Sequence, residues 1–532
     1  MVLSEERMKL KAPATAIHHY DIVIIGGGIA GIAIAELLSR KTNLSIKVID
    51  HAPQLGTGAS GKLEGWFHSG ALYSGNDDAQ TFMNCINGIE DLINHYSTYS
   101  DGRCNMVLQG KQPNLFAPAV IPHEDGWFNA APVFYILPNQ ESPDIKFSRF
   151  KNDSLLWEIQ RQRVFNRMEA AFGLQHNWFP EGQCRAPSYR AIESYRGEAC
   201  SLQDQSGILD ALCKRYGETF GLNSSPCNIL KSLDVSMNTA AIMRDLVASG
   251  ISKGVDFETG INIENLVIDR FGPIRIKSLL CRDPRGVMHH LKARLFVFAV
   301  GSGFKTLLQQ LHVRVRLKMS KSAMVVASPP LCRINFARMS IKDKFHFNHL
   351  VHQAKDKKSS SPYSMLGNSA SSQDEADVEQ DVVDVDYLLD AAERCFGKKE
   401  LYSRKLYFYD CIKTEFLSDE EEKRRYSYWI EWNRDSNYLS VLPGKFSFFP
   451  TVAYQTYLKI KKLLELKEYN NGSNYISDEK AELEASCLVA DHYPVRIFSE
   501  NTASQRGSGK INSKSSFPSH TPMTRRTISS EA

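Results

Sequence analysis

Apolar positions along the chain fall into a few distinct patterns, and each predicts an element. Asp21 to Ile25 is a short β-branched run ending at a glycine, the pattern of a strand buried on both faces. Gly26 to Arg40 is apolar at helical spacing, and Ser45 to Ile49 is a second short strand. Leu291 to Val300 predicts another buried strand, running into a glycine turn at Gly301 and Gly303. Helical periodicity recurs at Asp77 to Tyr96, Met237 to Ser252 and Val452 to Leu466, and Leu155 to Phe172 reads as an exposed helix. Gly254 to Ile276 predicts paired strands, and Asp101 to Pro143 is irregular or β. Ser418 and Glu421 fit a capping box. Lys355 to Asp384 is Ser-rich and then acidic, which predicts a mobile surface loop or insertion. Ser499 to Ala532 predicts a disordered basic tail.

The glycines between the first strand and helix carry the first chemistry. Gly26, Gly28 and Gly31 stand at G-x-G-x-x-G spacing, with Ala30 inside the same turn. In a dinucleotide site the first glycine makes the tight turn and the second lets backbone approach a pyrophosphate. The third lets helix and strand pack closely. The helix start supplies N–H groups and partial positive charge to the phosphates. Asp50 ends the second strand nineteen residues past Gly31, where a carboxylate takes a ribose hydroxyl. The bland alternative is an ordinary glycine turn in an α/β sheet. Strand, glycines, helix, strand and acid in this order favour the dinucleotide. The irregular stretch Gly56 to Gly75 follows at once, and Thr57 and Ser60 within it join the candidate cofactor contacts.

Composition narrows the class. The 532 residues are enough for two or three domains, and 42% hydrophobic content suits a globular enzyme. A net charge of +4 with no basic stripe argues against nucleic acid. No stretch nears the ~20 apolar residues of a membrane span, which leaves only peripheral contact with a membrane open. The N-terminal segment lacks an apolar signal core, and the 11 cysteines contain no C-x-x-C pair. The expectation is a cytoplasmic protein with reduced thiols, no disulfide framework and no metal site.

Four segments together resemble the flavin oxidoreductases of the D-amino-acid oxidase superfamily, most of all its glycerol-3-phosphate and L-2-hydroxyglutarate dehydrogenases. The first is Asp21 to Asp50. The second is His68-Ser-Gly-Ala-Leu-Tyr73, similar to the family segment that passes beside the isoalloxazine ring. The third is Val297-Phe-Ala-Val-Gly-Ser-Gly303, and the fourth is Leu442-Pro-Gly-Lys-Phe-Ser-Phe-Phe-Pro-Thr-Val-Ala453. The resemblance implies FAD, with Gly444, Phe446 and Ser447 beside the flavin. It implies a Rossmann-like α/β domain from residues 18–100, 230–310 and 436–468. A substrate or cap domain on a mainly antiparallel sheet would take 101–229 and 311–435, with an acidic insertion at 355–384 and a tail at 499–532. Two positions depart from the glycerol-3-phosphate pattern. Leu72 stands where a basic residue precedes the tyrosine, and Tyr409-Asp-Cys-Ile-Lys413 ends in lysine where the family has arginine.

Oxidising an alcohol on a flavin needs a base, a hydride acceptor and a cation that orients the substrate acid. His68 is the candidate base; the competing reading has it only packing on the ring or bonding a flavin carbonyl. Tyr73 either bonds the substrate oxygen or forms a wall. Lys445 either stabilises charge on the reduced flavin or pairs with the substrate acid, and Lys413 either holds a carboxylate or is solvated. Arg425 and Arg434 are weaker candidates. The expected substrate is a small acid-bearing alcohol, with a quinone or oxygen as final acceptor. The rivals are an amine- or amino-acid-oxidising enzyme of the same superfamily, and a flavin-binding protein without turnover.

Overall fold

A computed structural model describes residues 16–68, 79–96, 127–138, 227–269, 274–304, 311, 317–332, 335–340, 345–356, 359–367, 385–416, 427–432, 435–467 and 479–494. Two eight-stranded sheets organise them. The main path of the first runs Trp429–Trp432, Tyr438–Leu442, Met288–Phe298, Ala16–Ile25, Ile46–Ile49, Asp256–Glu258. All its pairings along that path are parallel except the one between Trp429–Trp432 and Tyr438–Leu442. Arg275–Arg282 and Asn262–Asp269 continue it as an antiparallel ribbon from the start of Met288–Phe298.

The β-branched runs are buried on both faces because each face has its own cover. Ile22, Ile24, Leu295 and Val297 point into one core with the helices Ile29–Lys41, Thr239–Ser252 and Phe449–Leu463. Val23, Ile25, Phe296 and Phe298 alternate with them and fill a second core under the antiparallel ribbon. The helix Ile29–Lys41 is buried from Ile29 to Arg40. It therefore hides an ion pair, Arg40 Nε to Glu36 Oε1 at 2.5 Å, with Ser249 Oγ donating to the same oxygen at 2.8 Å. Removing one partner from such a pair costs roughly 3–5 kcal/mol.

The second sheet runs Lys405–Phe416, Leu317–Ser328, Ser359–Gly367, Phe345–Asp356, Asn335–Ser340, Phe128–Pro138, Cys227–Met237, Trp66–Phe67. Its pairings are antiparallel except Asn335–Ser340 with Phe128–Pro138. The fold is thus the expected mixed α/β one, a Rossmann-like sheet beside a mainly antiparallel sheet.

Several local expectations need correction. Cys227–Met237 and Trp66–Phe67 join the second sheet; the expected boundary at 230 falls inside the first, and the second lies in the 18–100 stretch expected for the cofactor domain. Trp429–Trp432 belongs to the first sheet, outside the expected boundary at 436. The start of the Ser-rich segment is not a loop. Lys355 and Asp356 end one strand, Ser359 begins the next, and the two pair as a hairpin whose apolar members Tyr363, Met365 and Leu366 are buried. Asp256–Glu258 pairs in parallel with Ile46–Ile49, so the hairpin expected from Gly254 to Ile276 is instead Asn262–Asp269 with Arg275–Arg282. The readings at 155–172, 368–384, 418–421 and 499–532 fall outside the described residues.

The glycines differ in what they carry. A Cβ on Gly31 would overlap the Gly26 carbonyl oxygen, whereas one on Gly28 would meet only Ser60 Oγ, at 3.3 Å. Gly31→Ala is expected to cost more than the ~1–3 kcal/mol of ordinary overpacking, and Gly28→Ala to shift Tm by only a few degrees. Thermal unfolding of both variants checks this; a wild-type Tm for Gly31→Ala would contradict it.

Candidate active site

The carboxyl ends of two neighbouring parallel strands open the site. Ala16–Ile25 runs into Gly26, and Met288–Phe298 runs into Ala299 and the short turn Gly301–Gly303. Gly26 has φ of +110°, and a Cβ there would strike the Ala299 carbonyl, so only glycine lets the two ends sit together. Gly28 is the N-cap of the helix Ile29–Lys41 and has no side chain to cap it. Ser60 supplies the cap instead, its Oγ accepting the Ile29 N–H at 3.0 Å. Asp50 Oδ2 accepts the Gly27 N–H at 2.6 Å, and Oδ1 accepts the Ala52 N–H at 2.8 Å. That carboxylate fixes the glycine loop from behind while lining the cleft.

The cleft encloses about 790 Å³ between the two sheets. Gly26, Gly28, Ala30, Asp50, Thr57, Ser60, Gly301, Gly303, Gly444, Phe446 and Ser447 all line it. Gly31 does not; it sits one layer behind, against Gly26. Gly444, at φ +67°, passes close to the Ser427 carbonyl and turns the chain into the helix Phe449–Leu463. Ser447 Oγ is buried in the wall with no hydrogen-bond partner among the described residues. An unsatisfied hydroxyl and an open space over Gly28 fit a polar cofactor lying along this wall.

His68, Lys413 and Lys445 line the same cleft. Gly65, at φ +70°, packs against the Met237 carbonyl and starts the two-residue strand Trp66–Phe67, which delivers His68. His68 Nδ1 lies 3.5 Å from Asp234 Oδ2, and its side chain is 11% exposed. Trp66 Nε1 donates to that same Asp234 oxygen at 2.9 Å. Burial lowers the His68 pKa to about 4; the Asp234 carboxylate opposes the fall, and Lys445 and Lys413 add to it. His68 is therefore neutral at pH 7. Burial also lowers Lys445 to about 8, with the neighbouring Lys413 pushing the same way and the carboxylates Glu415 and Glu64 opposing.

Tyr73, Leu72, Arg425 and Arg434 fall outside the described residues. Sequence reading missed Asp234, Trp66, Glu64 and Asn348. Glu64 Oε2 accepts from Asn348 Nδ2 at 3.0 Å, and both residues line the cleft. Two buried histidines hold this stretch by its backbone. His352 Nε2 donates to the Glu64 carbonyl at 2.8 Å, and His492 Nε2 donates to the Leu63 carbonyl at 2.9 Å. Only an acid flanked by apolar residues, Asp234 between Leu233 and Val235, was a visible signal of buried chemistry. Among the described residues no cluster of His, Cys, Asp and Glu fits a metal ion, and no helix is long and apolar enough to cross a membrane.

A glycine cradle at the ends of parallel strands, sharing its cleft with a neutral imidazole and two lysines, defines a dinucleotide-dependent redox site. Residues 21–421 match the family described as FAD dependent oxidoreductase, and the chain belongs to that family. Its cofactor is FAD. A mitochondrial L-2-hydroxyglutarate dehydrogenase of Caenorhabditis elegans is 32% identical over 114 residues, which is 21% of this chain and 25% of that protein. The chain thus matches about a quarter of that relative's length. Among solved structures, the amino acid oxidase NikD of nikkomycin biosynthesis superposes with a TM-score of 0.52 at 12% identity, covering 86% of this chain and 97% of that one. L-α-glycerophosphate oxidase from Mycoplasma pneumoniae gives 0.50 at 12% identity, covering 86% and 98%. These two similarities establish the fold alone.

The buried histidines make stability pH-dependent with a definite sign. Burial holds His68 and His492 down to about 4 and His352 to about 3, against an ordinary 6.5. As pH falls below 6.5 the unfolded chain takes up protons that the folded chain refuses, so stability drops until about pH 3–4. Urea midpoints are expected to fall between pH 7 and 5. His492→Gln, which keeps an N–H donor, should recover on the order of 1–2 kcal/mol of that loss. An equal pH 5 loss in wild type and variant would contradict this.

Proposed function

We propose that the enzyme oxidises a small acid-bearing alcohol, a 2-hydroxy acid or glycerol-3-phosphate-like molecule, by hydride transfer to its flavin. The observation that carries this reading is the convergence of a neutral imidazole and two lysines in the cleft that the glycine cradle also lines. His68, uncharged at neutral pH, takes the hydroxyl proton on its cleft-facing nitrogen. Lys413 binds the substrate acid and fixes which face of the reacting carbon turns inward. Lys445 follows Gly444 in the segment that resembles the flavin-contacting part of the family, and it supplies positive charge where negative charge develops. A lysine at position 413 in place of an arginine, which would hold a phosphate by two parallel bonds, favours a carboxylate.

The substrate anion also tunes the base. The lysines that depress His68 are partly neutralised once a carboxylate sits between them, so His68 regains basicity in the complex. A second reading, oxidation of an amine or amino acid, draws on Glu64, a carboxylate in the cleft wall suited to accept an N–H bond from an uncharged amine. Hydride leaves an uncharged amine without any base, so His68 separates the two readings.

His68→Asn is expected to slow flavin reduction by roughly 10²–10⁴-fold with FAD still bound. Lys413→Met should weaken binding of the acid substrate at least ~10-fold with less effect on the limiting rate. In wild type the acid limb of the second-order rate should fall near pH 4, and that of the limiting rate at higher pH. Stopped-flow reduction across pH 4 to 9 measures all three. Wild-type rate and pH profile in His68→Asn would overturn the alcohol reading in favour of the amine.

A further inference from the structure

We propose that Asp234 is a positioning residue that fixes the ring orientation and tautomer of His68, with Trp66 clamping the carboxylate. This rests on the reading of His68 as proton acceptor. Asp234 is fully buried on Cys227–Met237, the strand that pairs with Trp66–Phe67 through the registers Trp66 to Ser236 and Phe67 to Val235. A buried carboxylate is costly unless donors surround it. The Trp66 N–H at 2.9 Å is one donor. The His68 Nδ1, at 3.5 Å from the same oxygen, is placed to be another, and a movement of ~0.5 Å makes it a full hydrogen bond. The Trp66 and His68 rings lie 4.6 Å apart at 30°, so the indole also blocks rotation of the imidazole.

Facing a carboxylate, Nδ1 keeps its hydrogen and Nε2 keeps a lone pair for the cleft. The charged groups acting on the ring are Asp234 from one strand, Lys413 from the strand Lys405–Phe416, and Lys445 from the flavin segment. When the substrate hydroxyl proton moves to Nε2, the ring becomes a cation with hydrogen on both nitrogens. Asp234 stabilises that cation and stays ionised itself. The two lysines oppose the cation, so Asp234 is the group that makes proton uptake feasible in their presence.

Asp234→Leu separates positioning from packing. Leucine keeps the buried volume but removes the one oxygen that Trp66 Nε1 and His68 Nδ1 share, so nothing holds the ring hydrogen on Nδ1 and it moves to Nε2. Nitrogen NMR of [15N]histidine-labelled holoenzyme, with His68 identified by its loss in His68→Asn, reads the tautomer directly. Wild type is expected to carry hydrogen on Nδ1 and Asp234→Leu on Nε2, with the variant retaining FAD. Flavin reduction in Asp234→Leu should fall on the order of 10²-fold or more, with substrate affinity little changed. Hydrogen on Nε2 in wild type, or one tautomer in both proteins, overturns the proposal, and the wild-type spectrum decides even if the variant does not fold. Failure of the base reading shows separately, as unchanged flavin reduction in His68→Asn.

Discussion

The contact between Gly26 and the Ala299 carbonyl is the constraint on which the site depends. Two buried parallel strands end side by side there, and the absence of a side chain at Gly26 brings their ends into van der Waals contact. Asp50 and Ser60 then fix the loop that leaves the junction, one holding the Gly27 N–H and the other the Ile29 N–H. The close seat of Gly31 on Gly26 sets the angle of the following helix. The burial of alternate strand residues in two separate cores holds these ends rigid, so the cofactor wall is fixed by packing that lies outside the cleft.

The lining around His68 is governed by electrostatics. His68 and Lys445 are both pushed toward their neutral forms by burial, and the lysines reinforce that push on the imidazole. Such a wall favours an anion. In the proposed reaction, binding of an acid and proton uptake by His68 are coupled through the same field. Two neutral histidines, His352 and His492, steady the Leu63–Glu64 backbone beneath it. His492 comes from the C-terminal stretch, which also ties the cofactor loop through hydrogen bonds between Leu55, Leu488 and Ala490.

The cofactor half was legible in the sequence because its rules are local. Glycine spacing, a β-branched run and an acid at strand end are all read within thirty residues. The strand running into Gly301 and Gly303 was legible from its apolar pattern and the segment at Gly444 from family resemblance, and the structure places both on the cleft. The substrate half resisted because its members meet only through the second sheet. Asp234 lies far along the chain from His68, and strand pairing across that distance has no periodic signature in a single sequence. The hairpin at Phe345–Gly367 was hidden for another reason. Its serine-rich strand looks like a loop by composition, while its burial is decided by the neighbours at Leu317–Ser328 and Phe345–Asp356.

Anaerobic titration of the yellow holoenzyme with matched pairs of compounds tests the central claim most directly. Each pair carries the same carbon skeleton and acid group, once with a hydroxyl and once with an amine at the reacting carbon. Bleaching of the flavin by the hydroxy acids, with the amines inert, is the result expected from a neutral imidazole facing two lysines. Bleaching by the amines, with every acid-bearing alcohol inert, would contradict it.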